Sequence, residues 1–194
     1  QKVQRLLHFE NSRLPDAGVR TRMLEHTFKY RSSQLFDFIR SITKPDEGRL
    51  SMAARQTGAS DAVICFVQAH VRKIETMLTE RFSQIPPISL KNKLLRNFFD
   101  RLRTPYGDGL IDRCQTFLAE VKRLVKLSFP PHYFFRTSEI IEETRRLQGG
   151  VVIPHPEQFW PVLLAEYDVD GVEVWNPQSR RYTDFLVSVL NEKN

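Results

Sequence analysis

Apolar residues recur at helical spacing in four successive stretches of this chain, and short β-branched runs appear only after Pro130-Pro131. This change of period, from about 3.6 residues to 2, constrains the fold more than any other feature. The spacing predicts helices over about 24–42, 60–82, 90–103 and 110–127. Phe28, Leu35, Phe36, Phe38, Ile39 and Ile42 line the first. Ala62, Val63, Phe66, Val67, Ile74, Met77 and Leu78 line the second, which Ser60 or Asp61 is placed to cap. Leu94, Leu95, Phe98, Phe99 and Leu102 line the third. Ile111, Cys114, Phe117, Leu118, Val121, Leu124 and Val125 line the fourth. Ile85-Pro86-Pro87 and Phe129-Pro130-Pro131 act as stops, because proline disfavours helix in the residue before it. Residues 1–25 are polar and irregular, and residues 43–59 read mostly as loop with a weak helical piece around Ser51–Arg55.

Beyond Pro131 the pattern reads strand, helix, strand. Val151-Val152-Ile153 suits a strand buried on both faces. Pro154 and Pro156 end it. Phe159, Trp160, Leu163, Leu164 and Tyr167 predict a helix over about 157–167, with Trp160 buried against the sheet. Asp170-Gly171 turns the chain into a second strand, Val172-Glu173-Val174-Trp175. Two strands joined by a helix in one sheet should be parallel. Their C-terminal ends then share an edge, with His155 after the first and Asn176 after the second. The expected organisation is α/β: a long, mainly helical region over 1–130, then a parallel βαβ segment over 131–194.

At that edge His155 has two readings. A neutral imidazole there is a good ligand for zinc, manganese or iron. In a His-Pro turn the ring can instead bond to neighbouring backbone. Glu173 alternates away from Val172 and Val174, so it needs a partner or a metal if it faces the sheet interior. An exposed edge strand or a salt bridge would satisfy it equally. Asn176-Pro177 reads as a turn at the site edge, and His132 can approach the same edge from the preceding loop. No compact His-x-His or His-Glu-x-x-His spacing, Gly-rich phosphate loop or Gly-x-Ser-x-Gly elbow is present.

Gly149-Gly150, the short hydrophobic strand, His155-Pro156, the following helix and the strand running from Asp170 to Asn176 together resemble the third metal-binding segment of the PHP (polymerase and histidinol phosphatase) family. The helical stretch Ser138–Gln148 also fits that family. The resemblance implies a partial distorted (β/α)7 barrel and a metal-dependent phosphoesterase acting on a phosphate-bearing substrate. It makes His155 a ligand to manganese, zinc or iron. The family's opening His-x-His pair and later Asp-x-His segment are absent, so the chain is expected to be a piece of a longer protein and incomplete as a catalytic unit. It opens with Gln1 rather than Met, in line with that expectation. The rival expectation is a non-catalytic helical binding module carrying a degenerate PHP-like remnant.

Composition narrows the setting. No run of 18 apolar residues exists, so no membrane-spanning helix is expected. Cys65 and Cys114 lie far apart, which argues for a reduced, cytoplasmic chain rather than a disulfide scaffold. The net charge of +6 permits contact with nucleic acid without establishing it. Arg72, Lys73, Lys91, Lys93, Arg96, Arg101, Arg103, Lys122, Arg123 and Lys126 spread basic charge through the helices, and Phe98, Phe99 and Tyr106 offer stacking surfaces nearby. The phenylalanines fall at core spacing, however, and the charges are mixed with Asp100, Asp112 and Glu120, so ordinary solvated helix faces are the better reading.

Overall fold

A computed structural model describes residues 6–44, 47–129, 135–158, 160–161, 167–177 and 180–193. The chain divides into two compact units, Glu25–Tyr133 on one hand and Gln1–Leu24 with Phe134–Asn194 on the other. Helix α1 (Gly18–Thr43) begins in the second of these and continues into the first.

The helical unit holds the rest of α1, then α2 (Glu47–Thr57), α3 (Asp61–Glu80), α4 (Lys93–Arg101), the one-turn α5 (Arg103–Tyr106) and α6 (Asp108–Leu127). Helix α6 is its centre and packs against α2, α3, α4 and α5. Seven of its side chains are buried, at spacings of three and four: Ile111, Cys114, Phe117, Leu118, Val121, Leu124 and Val125. Such a stripe faces one side of a helix, so α6 can be covered on that side while its charges stay in water. Leu35, Phe38, Ile39 and Ile42 of α1 and Val67, Val71, Ile74 and Leu78 of α3 complete the core. Gly107, at φ +80°, precedes α6 in a conformation that a side chain would strain.

Two local expectations are corrected here. The stretch read as loop over 43–59 contains the full helix α2, because Leu50 and Ala53 are buried in the core that α6 organises. Packing supplies the stability that propensity alone does not. Ser60 stands before α3 but forms no side-chain capping bond; Asp61, in the first turn, offers the favourable negative charge instead.

The second unit contains a three-stranded sheet in the order β1 (Leu6–His8), β2 (Gly150–Ile153), β3 (Gly171–Val172). Strand β1 pairs antiparallel with β2, setting Leu6 opposite Val152 and His8 opposite Gly150. Strands β2 and β3 pair in parallel, Val152 opposite Gly171 and Ile153 opposite Val172. The bonds from Asp170 N to Val151 O and from Glu173 N to Ile153 O extend this pairing at both ends. Helix α7 (Thr137–Arg146) packs on β2. Helix α8 (Thr183–Lys193) inserts Leu186 beside Ile153 to form a small second core with Val172 and Val174.

The expectation of an α/β fold built as a partial (β/α)7 barrel is overturned. Three quarters of the described residues are helical, the sheet is small, and no barrel is seen among them. A parallel barrel needs strand after strand at the same edge, each with its own helix. Here the other side of β2 is taken by an antiparallel strand from the chain's beginning. The helix expected over 157–167 falls largely outside the described residues; those described there begin with a 3-10 turn, Pro156–Gln158, and include Trp160 in a turn and Pro161 in helical conformation. Trp160 is not buried: it is 37% exposed and meets Tyr182 and Phe185 edge-on at 5.5 and 5.3 Å. Val152 is only half-buried, so β2 is not covered on both faces. Among the described residues no helix is long and apolar enough to cross a membrane.

A charged clamp fixes the entry to β3. Arg145 of α7 reaches Asp168 at 3.0 Å and Asp170 at 2.7 Å. The Val151 N–H donates to Asp170 Oδ2 at 2.6 Å. That backbone bond, with Arg145 next in weight, holds the Asp170 carboxyl below the ordinary aspartate range. A depressed carboxyl stabilises the fold above its unfolded-state pKa and loses that contribution as pH falls through the folded-state value. The side chain is 47% exposed, so solvent screening keeps the effect small. Asp170→Asn is therefore expected to be the less stable protein at pH 7 and to converge with the wild type in strongly acidic buffer. Urea melts of both proteins across pH 2–7 check this; a gap that widens on acidification would reverse the sign.

Candidate functional site

The C-terminal edge of the parallel pair gathers four side chains. After β2 the buried Pro154 leads to His155, whose φ is +51°, in the left-handed region. A residue there is uncommon outside glycine, with histidine among the types that tolerate it. The reason it is held is local. The His155 N–H donates to Glu173 Oε2 at 3.1 Å, and its carbonyl accepts from the Gln158 N–H at 3.0 Å as the 3-10 turn closes.

This backbone turn aims the imidazole at acid groups. His155 Nδ1 lies 3.3 Å from Glu173 Oε2 and 3.9 Å from Glu157 Oε1. Nδ1 is buried yet forms no hydrogen bond, and Glu157 Oε2 is in the same condition. Asn176 Nδ2 donates to Glu173 Oε2 at 3.3 Å. Asn176 is 5% exposed. Glu173 therefore ties the ends of both strands together, accepting from the backbone that follows β2 and from Asn176 beyond β3.

Of the residues singled out in the sequence, His155, Glu173 and Asn176 come together here, whereas His132 lies outside the described residues. Asn176 does more than shape a turn, since its amide orients Glu173. Glu157 is the member that sequence reasoning missed. Its signal was an acidic residue two positions after a strand-end histidine, in the first turn of the next helical element. His70 is buried beside Phe66, with Nδ1 2.9 Å from the Phe66 carbonyl, and is not among the residues gathered at this edge.

One imidazole nitrogen and two carboxylates are a donor set that suits manganese, iron or zinc. The set is nonetheless incomplete. Glu173 Oε2 already accepts two hydrogen bonds, and among the described residues no three His, Cys, Asp or Glu side chains are grouped to hold an ion. A catalytic centre ordinarily needs three protein ligands. What the edge offers by itself is a pre-oriented imidazole whose buried Nδ1 forms no hydrogen bond and lies within ion-pair distance of Glu173. No protein-family model, no curated protein and no solved structure matches this chain.

Proposed function

We propose that the chain is one part of a PHP-like metal-dependent phosphoesterase, incomplete as a catalytic unit, in which His155 supplies one ligand to an ion held mainly by segments elsewhere. The single observation that carries this reading is the buried, unbonded Nδ1 of His155 at the C-terminal edge of a parallel strand pair. A buried polar atom without a partner is costly, and native proteins keep few of them without a role. Ions bound at such a site would activate water and neutralise charge on phosphoryl oxygens. The contribution of this chain's own residues is positional. Glu173 fixes the His155 backbone, Asn176 fixes Glu173, and Glu157 stands 3.9 Å from the same ring nitrogen. The second reading is a non-catalytic helical binding module. It is favoured by the continuous core of the helical unit, which is built without any residue of the strand edge.

The test has two arms. Calorimetric titration of this chain with manganese and zinc is expected to show weak binding or none. Tight stoichiometric binding that vanishes on removing the imidazole would reveal a complete site, with Glu157 and Glu173 the first residues to examine. In the longest natural protein that carries this sequence, His155→Asn is expected to abolish hydrolysis of p-nitrophenyl phosphate while shifting stability by no more than about 0.5 kcal/mol, as for a side chain with little packing. Asparagine is chosen because it also tolerates the left-handed backbone. Unchanged hydrolysis in that variant would remove His155 from any catalytic account and leave the binding module.

A further inference from the structure

The positive charge of this protein is not shared between its units. Residues 25–133 carry 18 Lys and Arg against 11 Asp and Glu, a net of +7. The remaining residues carry 11 against 12, a net of −1. Within the helical unit a groove of about 560 Å³ runs along α6 beside the end of α2, lined by Thr57, Thr116, Glu120, Lys122, Arg123 and Lys126. Its one carboxylate is already engaged: Arg123 holds Glu120 through both oxygens, at 2.6 and 2.9 Å, and also reaches Gln56. No ion pair to Lys122 or Lys126 occurs among the described residues. Glu120 in the same groove is taken by Arg123, while Lys126, one turn on, and Arg96 of α4 both act on Lys122 as like charges. Burial pushes the Lys122 ammonium below its usual value, and these two cations push it the same way. Arg96 itself is held only loosely, 3.9 Å from Asp100 on an exposed surface.

We propose that this groove is a binding site for the phosphodiester backbone of a nucleic acid, with Lys122 and Lys126 contacting phosphates and Arg96 extending the track. An assembled group of unpaired cations costs free energy that an anion relieves, and a phosphate chain releases its own counterions in exchange. A small free phosphate fits the groove less well. It wants converging backbone N–H groups, as at a helix N-terminus or a glycine turn. This groove instead lies along the C-terminal half of α6 and is walled by side-chain stems. The site lies in the helical unit, so it stands or falls separately from the phosphoesterase reading.

The experiment is fluorescence anisotropy with fluorescein-labelled random 20-mers, single-stranded and duplex, and the whole 194-residue chain, from 50 to 300 mM NaCl. The expected result is salt-sensitive binding to DNA. Lys122→Glu with Lys126→Glu should weaken it about tenfold or more and lower the slope of log affinity against log salt by about 1.5–2, the loss of two phosphate contacts. Arg72→Glu with Lys73→Glu, an equal reversal on the exposed face of α3, should change affinity less than about threefold if position matters beyond net charge. Because Lys122 is half-buried, Lys122→Gln and Lys126→Glu are also measured singly, and circular dichroism melts show that each variant is folded. Equal losses from both double reversals would overturn the site in favour of net charge alone. Tripolyphosphate competing as well as DNA at equal phosphate would overturn it in favour of a small-anion site. Binding to phosphatidylserine vesicles without binding to DNA would overturn it in favour of a lipid surface.

Discussion

Phe99→Ala is expected to destabilise the helical unit by about 3–5 kcal/mol, the range for truncating a fully buried phenylalanine. Phe99 is 0% exposed in α4. Its ring lies 6.5 Å from Phe66, 6.1 Å from His70 and 5.9 Å from Phe98, each in an edge-on arrangement. Truncation removes the apolar surface that Phe99 buries and also leaves a hole among rings that cannot all shift to fill it. Edge-on pairs add about 0.5–1.5 kcal/mol beyond area, so the upper half of the range is expected. Trp160→Ala is the contrast. A tryptophan on the crossover was expected from sequence to be core, yet it is more than one third exposed and rests on two rings at the surface. Its loss should cost about 1 kcal/mol, close to the worth of the ring contacts. Urea melts followed by circular dichroism measure both, and equal costs would contradict the burial difference.

Gly149→Ala carries the second large effect, because a β-carbon there has nowhere to go. It would stand 2.4 Å from Phe9 Cε1, 2.5 Å from Phe9 Cδ1 and 2.9 Å from the carbonyl oxygen of His8. A ring can swing away. The His8 carbonyl cannot move freely, since His8 is the residue of β1 paired with Gly150. Relief therefore requires prying β1 from β2, and overpacking of this kind costs about 1–3 kcal/mol. Gly150→Ala is a neighbouring control. Its β-carbon would meet Asp170 Oδ2 at 3.5 Å and His8 Cβ at 3.8 Å, ordinary contact distances. That change should cost clearly less than the first. Hydrogen exchange at the Val152 amide, which faces β1, beside a denaturant melt, reads the opening of the sheet; the Val151 amide, held by Asp170 on the β3 side, is the internal reference. Gly149→Ala with wild-type protection at Val152 would show that the backbone yields more easily than the packing implies.

These two glycines also mark how far the sequence could be read. Their place before a β-branched run was legible, and so were α3, α4 and α6, because each writes its own burial into a period of 3.6 residues. The parallel direction of β2 and β3 was legible too, since a strand, a crossover and a strand leave little choice, but the strand expected over Val172–Trp175 is only Gly171–Val172, with Glu173 to Trp175 outside it. His155 at the strand end followed from the same geometry. What the sequence could not carry was anything whose partner is remote. Strand β1 sits in a polar stretch and becomes a strand only because β2, about 140 residues later, offers it a ladder. Helix α2 looks like a loop until α6 covers Leu50 and Ala53. That antiparallel pairing closed off the side of β2 where a parallel barrel would have continued, and so replaced the expected barrel with a mainly helical protein. Glu157 approaches His155 across a turn that opens with the left-handed backbone of that histidine, a conformation the sequence pattern does not announce. Local periodicity records which face of a segment is buried. Which surface buries it, and what stands opposite a side chain at the sheet edge, is settled by contacts between distant parts of the chain.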